Sequence, residues 1–111
     1  MYPVKHANIS AANDGENEVV AAVAGKTIVV ISYVLAVAHA TARGTADFRS
    51  ITANTVHATF MSGTDDLDGP LVYTYTGHPK APAFACEPGE AFGINNGAGV
   101  DCVGHVTYML R

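Results

Sequence analysis

The chain has 111 residues, enough for one domain with its own core and too few for two. Apolar residues make up 49% of the sequence, which excludes a disordered chain. Six basic residues against ten acidic ones give a net charge of −4, so the basic surface of a nucleic-acid binder is absent. Thirteen Val, five Ile and ten Thr favour strands over helices.

Strand-like segments separated by turns follow one another along the chain. The pattern predicts about eight strands, at residues 4–10, 18–24, 27–40, 47–61, 71–76, 83–87, 90–95 and 100–110. Within 47–61 the alternation slips, and a bulge or break near Ala53 and Asn54 restores it. The expected fold is an all-β antiparallel two-sheet sandwich, a jelly roll, with an immunoglobulin-like sandwich as the alternative.

The first residues of the chain and the remainder are predicted to form different parts of the fold. Residues 1–12 are expected to form an N-terminal arm or edge strand, and residues 13–111 the sandwich. The opening residues lack the pattern of a secretory signal, so synthesis in the cytoplasm is expected. The longest apolar run, residues 28–38, is shorter than the roughly 20 residues of a membrane helix, so no membrane partner is predicted.

The segment 27–40 is apolar on both faces of the predicted strand. Its odd-numbered face carries Tyr33 and is the bulkier one, so we assign it to the internal core. The even-numbered face ends in small residues that suit close approach to a second subunit. The predicted interface residues are therefore Ile28, Val30, Val34 and Ala36.

The sequence carries no recognisable catalytic or cofactor signature. No Gly-x-Ser-x-Gly elbow or phosphate loop occurs. The five histidines show no metal-ligand spacing; we expect His57 and His78 to face solvent and His105 to lie opposite the apolar side of the last strand. The sequence predicts no catalytic residue, no cofactor and no metal site.

Two further groups leave alternatives open. The segment with Asp65, Asp66 and Asp68 is either a solvated turn or an ion-binding loop, and the turn is favoured because the calcium-loop spacing is missing. Cys86 and Cys102 either stay reduced as apolar strand residues, the favoured interpretation, or pair across neighbouring strands.

A family resemblance is carried by short segments spread over nearly the whole chain. These are residues 6–12, 19–26, 28–33, Phe60-x-Ser62-Gly63, Leu67-x-Gly69-Pro70-Leu71, Gly89-Glu90-Ala91 and 103–108. Together they resemble small proteins encoded among the structural genes of tailed bacteriophages. The resemblance implies a virion protein that cements or decorates the outside of the capsid, as a homotrimer bound to the major capsid protein. It transfers no functional residue.

Two other functions compete with this expectation. A tail or fibre-associated sandwich could bind a carbohydrate or host surface, with Tyr73, Tyr75 and His78 as the nearest aromatic cluster. A small metal-dependent enzyme on the same fold would need histidines that converge in space. The absence of catalytic motifs and the low charge place both behind the structural role.

Overall fold

Strands alone form the regular structure of the computed structural model, which describes residues 3–64 and 69–111. The ten strands are β1 (Lys5–Ala11), β2 (Gly15–Val20), β3 (Ile28–His39), β4 (Thr45–Ser50), β5 (Thr55–Met61), β6 (Gly63–Thr64), β7 (Leu71–Tyr75), β8 (Phe84–Ala85), β9 (Phe92–Asn96) and β10 (Val100–Leu110). Eight of them have five or more residues, and β6 and β8 have two each. The predicted strand at 47–61 is divided into β4 and β5, and the predicted strand at 83–87 is reduced to β8. The described residues contain no apolar helix of membrane-spanning length.

Two sheets pack face to face. Sheet A has six strands in the order β1-β10-β3-β6, with β7 and β8 also paired to β3, and sheet B has the order β2-β9-β4-β5. Every pair is antiparallel except the short β3–β6 pair. The last long strand lies beside the first. Among the eight longer strands, every consecutive pair except β4 and β5 lies in different sheets, which is jelly-roll topology. The predicted fold class is confirmed.

An aromatic cluster fills the space between the sheets. Phe48 lies at its centre, and the rings of Tyr33, Phe60 and Phe92 meet it edge to face at 5.0, 4.9 and 5.1 Å between centroids. Such pairs contribute about 0.5–1.5 kcal/mol each beyond their buried area. Both sheets supply rings, so the cluster holds one sheet against the other.

A β-bulge changes which face of β3 points inward. In the pairing with β10, Thr107 lies opposite Ser32 and Tyr108 opposite Val30, so Ile31 is an additional residue on β3. An additional residue reverses the alternation of the strand beyond it. Before the bulge the even-numbered residues are in the main core, and after it the odd-numbered residues are, namely Ile28 and Val30, then Tyr33, Leu35 and Val37.

The N-terminal segment is an edge strand of sheet A, one of the two expected alternatives. All seven residues of β1 pair with β10 in unbroken register, from Lys5 opposite Tyr108 to Ala11 opposite Cys102. Ile9 and Ala11 are buried in the main core. The Asp65, Asp66 and Asp68 group lies outside the described residues, and the predicted break within 47–61 is a turn at residues 51–54.

Candidate assembly surface

The outer face of sheet A, the side turned away from sheet B, carries a strip of small apolar residues. Cross-strand pairing places Val72, Ala36 and Val103 in one row across β7, β3 and β10. Val34 lies in the next row, between Thr74 and His105. Val72 and Val103 are 62% and 57% exposed, and Val34 and Ala36 are half-buried. The isolated chain therefore leaves an apolar strip open to solvent.

The two outer faces of the sandwich differ in charge. At one end of the outer face of sheet A, Val29, Ile31 and Met109 are buried in a small cluster of their own. The other described strand residues on this face include Ser32, Val34, Ala36, Ala38, Val72, Thr74, Asp101, Val103, His105, Thr107, His6, Asn8 and Ser10. Only Asp101 among them carries a permanent charge. Depletion of charged residues marks the buried part of protein interfaces.

The outer face of sheet B is charged by contrast. One row across it holds Glu16, Asn95, Asp47 and Thr59, and Glu18 and Arg49 lie in the next row. Arg49 Nη2 lies 2.7 Å from Asp47 Oδ2 in a surface ion pair. Val56 and Met61 of β5 are also exposed, at 47% and 51%, but they lie near opposite ends of that strand and form no continuous strip. The candidate assembly surface is therefore the outer face of sheet A.

Because of the bulge at Ile31, two of the four predicted interface residues lie in the core. Ile28 and Val30 are 1% and 0% exposed and belong to the main core, so they do not lie on the outer face. Val34 and Ala36 do lie on it, and their role in an interface stays a prediction. The reason is geometric: strict alternation put all four residues on one face, whereas one additional residue at Ile31 separates them into two pairs.

Sequence reasoning did not find Val72 and Val103, the most exposed apolar residues of the strip. Each comes from a different strand, and they meet only through the pairing of both strands with β3. The available signal was weak: Val72 and Val103 each take a solvent-facing position in an alternating strand. Such positions are ordinary one at a time and become a surface only when neighbouring strands align them.

A polar cluster at the end of sheet B resembles a catalytic pair in spacing. Ser50 Oγ and His57 Nε2 are 2.8 Å apart. The backbone N–H of Glu87 donates to the same Ser50 oxygen at 3.0 Å. The His57 ring stacks on Phe84 with a centroid separation of 4.6 Å and an interplanar angle of 7°. His57 is half-buried rather than solvent-facing, so that prediction is wrong.

A second bulge explains the position of His57. Ala58 lies opposite Phe48 and Val56 opposite Arg49, so His57 is the additional residue on β5. Bulges on edge strands turn a side chain in a new direction, here toward Ser50. Burial lowers the pKa of His57 below 6.5, and the nearby Glu87 charge opposes this shift.

The same geometry argues for a structural role of the cluster. Ser50 is 0% exposed, so a substrate has no path to its hydroxyl. A nucleophile must be within reach of the atom it attacks. The cluster instead links the β4–β5 hairpin of sheet B to the segment that follows β8, since Ala53 N–H also donates to Glu90 Oε1 at 2.7 Å.

The cysteines are free and buried. Cys102 Sγ donates to Asn96 Oδ1 at 3.3 Å, and Asn96 Nδ2 donates to the carbonyl oxygens of Ala11 and Asn13. Burial raises the pKa of Cys86 to about 11 and that of Cys102 to about 12. Both are protonated, unreactive thiols, in line with the favoured interpretation. Within residues 3–64 and 69–111, no three His, Cys, Asp or Glu side chains converge as a metal site would require.

The aromatic cluster of the carbohydrate alternative is engaged within the chain. Tyr73 O–H donates to the Met61 carbonyl at 2.7 Å and accepts from the Met61 N–H at 3.2 Å. Tyr75 O–H donates to the Ala81 carbonyl, and its ring stacks on Tyr33. Hydroxyls that recognise a sugar need free hydrogen-bonding capacity. These contacts fasten β7 to β5 and to the segment after β7.

Comparison with known proteins adds a distant structural match. Neither a protein-family model nor a curated protein matches the chain. A solved chain from work on Bacillus, described as "endospore appendages form a novel family of disulfide-linked pili", is similar over 100% of this chain and 86% of its own. The identity is 14% and the TM-score is 0.49. The proposals below rest on this chain's own residues.

Proposed function

We propose that the protein is a structural subunit of a bacteriophage particle, a cement or decoration protein on the outside of the capsid. The observation that carries the proposal is the contrast between the two outer faces of the sandwich. Sheet A presents Val34, Ala36, Val72 and Val103 with almost no charge, and sheet B presents carboxylates and an arginine. A protein fixed to a shell by one side can use a neutral, apolar face for the contact and a charged face toward water.

The sequence resemblance supports the same role. Two of the segments that carry it, residues 28–33 and 103–108, lie in β3 and β10, the central strands of sheet A. In this proposal the outer face of sheet A contacts the major capsid protein or neighbouring copies, and the face of sheet B points to solvent. A homotrimer is the oligomer that the resemblance implies.

Burial of the strip supplies part of the binding free energy. Val72 and Val103 are each more than half exposed. Covering apolar area contributes roughly 25 cal/mol per Å², so the two side chains together contribute about 2–3 kcal/mol before association costs. In the homotrimer that the resemblance implies, three such contacts would be linked, so a modest affinity per subunit would suffice for stable decoration.

Attachment to particles tests the proposal. Mass spectrometry of purified particles should find the protein at a copy number comparable to that of the shell protein. Val103→Glu should lower its occupancy on particles by roughly tenfold or more, because a charge is placed in an apolar contact. Thr59→Glu, on the outer face of sheet B, is the matched control and should leave occupancy unchanged.

Circular dichroism establishes that both variants fold before they are added to particles. A few copies per particle would move the protein to the tail, and its absence from particles would overturn the virion role. Equal occupancy for the two variants would show that sheet A is not the attachment face.

A further inference from the structure

We propose that the free edge of β1 pairs with β1 of a second copy, antiparallel and about a two-fold axis at Asn8, so that two copies of sheet A become one continuous sheet. The occupant of this edge is thus another molecule of the same chain. The proposal concerns a different surface from the outer face of sheet A and does not depend on the capsid role.

β1 forms a regular, unobstructed edge of sheet A. Its seven residues pair with β10 without a register shift, and none is proline. In the described part of the chain no strand lies on its other side. A strand in this position exposes a row of unpaired N–H and C=O groups, which is a template for another strand.

The other sheet edges carry protective features that β1 lacks. β5 is interrupted by the His57 bulge, and β2 carries Glu16 and Glu18 and a register irregularity before Val20. The far edge of sheet A consists of three short strands, β6, β7 and β8. Bulges, charges and short strands are the usual means of blocking edge pairing. On β1 the one charged residue is Lys5, at its first position.

β1 is complementary to a second copy of itself. With the axis at Asn8, Ala7 lies opposite Ile9 of the second copy, and His6 lies opposite Ser10 of the second copy. Lys5 then lies opposite Ala11 of the second copy, so no two charges meet across the pair. Like charges directly opposite each other would be destabilising, and this register avoids them.

The pairing also preserves both faces of the sheet. The two-fold axis is perpendicular to the sheet, so Ile9 of both copies stays on the core side and Asn8 and Ser10 stay on the outer side. The neutral outer faces of the two copies therefore lie on the same side. One dimer would present twice the area of that face to a partner.

Cysteine cross-linking tests the register directly. At the axis, the two Asn8 Cα atoms would be about 4.5–5.5 Å apart, within disulfide range. The two Ser10 Cα atoms would be roughly 14 Å apart, since four residues at about 3.4 Å separate them. Asn8→Cys should give a disulfide-linked dimer with oxidised glutathione, at least about tenfold faster than Ser10→Cys does.

Ser10→Cys is a matched control because it lies on the same strand and the same exposed face. The native Cys86 and Cys102 are buried, so they should not form competing disulfides in the cross-linking assay. Light scattering of the unmodified protein should show a particle mass that halves on dilution, from dimer to monomer, or from paired trimers to single trimers where the homotrimer also forms. A monomer at every concentration, or cross-linking of Ser10→Cys as fast as Asn8→Cys, overturns the proposal and leaves the particle-attachment result untouched.

Discussion

The bulge at Ile31 makes Val30 and Val34 inequivalent, although both are even-numbered valines of the same strand. Val30 is 0% exposed and belongs to the main core, whereas Val34 is half-buried on the outer face. The perturbation that separates them is the same substitution at both positions, Val30→Ala and Val34→Ala. Both variants lose the same intrinsic strand preference, so the difference between them reports burial alone.

The expected magnitudes follow from the two environments. Val→Ala removes two methyl-sized groups, and at about 0.8 kcal/mol each the transfer term is roughly 1.6 kcal/mol. A residual cavity in the packed core brings the loss for Val30→Ala to about 2–3 kcal/mol. Val34→Ala opens no cavity in the core, and its loss should stay below about 1 kcal/mol.

The assay is urea unfolding followed by circular dichroism, with thermal melting as a second measurement. For a chain of this size each kcal/mol lowers Tm by roughly 4 °C, so Val30→Ala should melt about 8–12 °C lower than the parent. The measurement is made at the lowest practical concentration, so that subunit association does not contribute, and repeated at a higher one. Equal losses in the two variants, or a larger loss for Val34→Ala in dilute solution, would refute the change of face at Ile31.

Three other outcomes follow from contacts described above. Gly104→Ala should destabilise the fold by about 3 kcal/mol or more in urea unfolding, because an added Cβ meets the backbone carbonyl of Val34; a variant as stable as the parent would contradict the β3–β10 geometry. Burial lowers the folded pKa of His57 below 6.5, so the free energy of unfolding should be constant above pH 6.5 and fall as the pH drops through the folded pKa. His57→Gln should reduce this pH dependence, and a variant with the same pH profile as the parent would contradict the role of His57. Cys86 and Cys102 should react with Ellman's reagent far more slowly in the native protein than in denaturant, and rapid native labelling would show that they are accessible.

Much of the fold was predictable from local signals. The final strand was predicted at 100–110 and is Val100–Leu110; the long strand was predicted at 27–40 and is Ile28–His39. Turn residues and β-branched alternation are properties of neighbours in sequence, so one chain reveals them. The jelly roll followed from the number and spacing of strands with no helix between them.

The candidate assembly surface and the Ser50–His57 contact are formed by residues that are distant in sequence. The sequence alone therefore predicted them less well than it predicted the strands. Val72 and Val103 are apolar residues at ordinary exposed positions until β7 and β10 both pair with β3. The Ser50–His57 contact depends on a bulge, whose additional residue leaves no mark in the composition of β5. Strict alternation likewise missed the bulge at Ile31, because apolar residues stand on both sides of it.

The two-sided apolar character of β3 also bears on how uniquely the chain folds. A slip by one residue would bring Val34, Ala36 and Ala38 to the inner side, and they are apolar as well. Hydrophobic burial therefore discriminates weakly between the native alignment and its neighbour, which become competing minima on the folding landscape. Specific contacts distinguish the native alignment from the shifted one. The Tyr33 ring packs edge to face against Phe48, and Ser32 Oγ accepts a hydrogen bond from the Gly77 N–H at 2.8 Å. A few steric and polar contacts thus select the native alignment of β3, whereas burial of its apolar residues would stabilise either alignment.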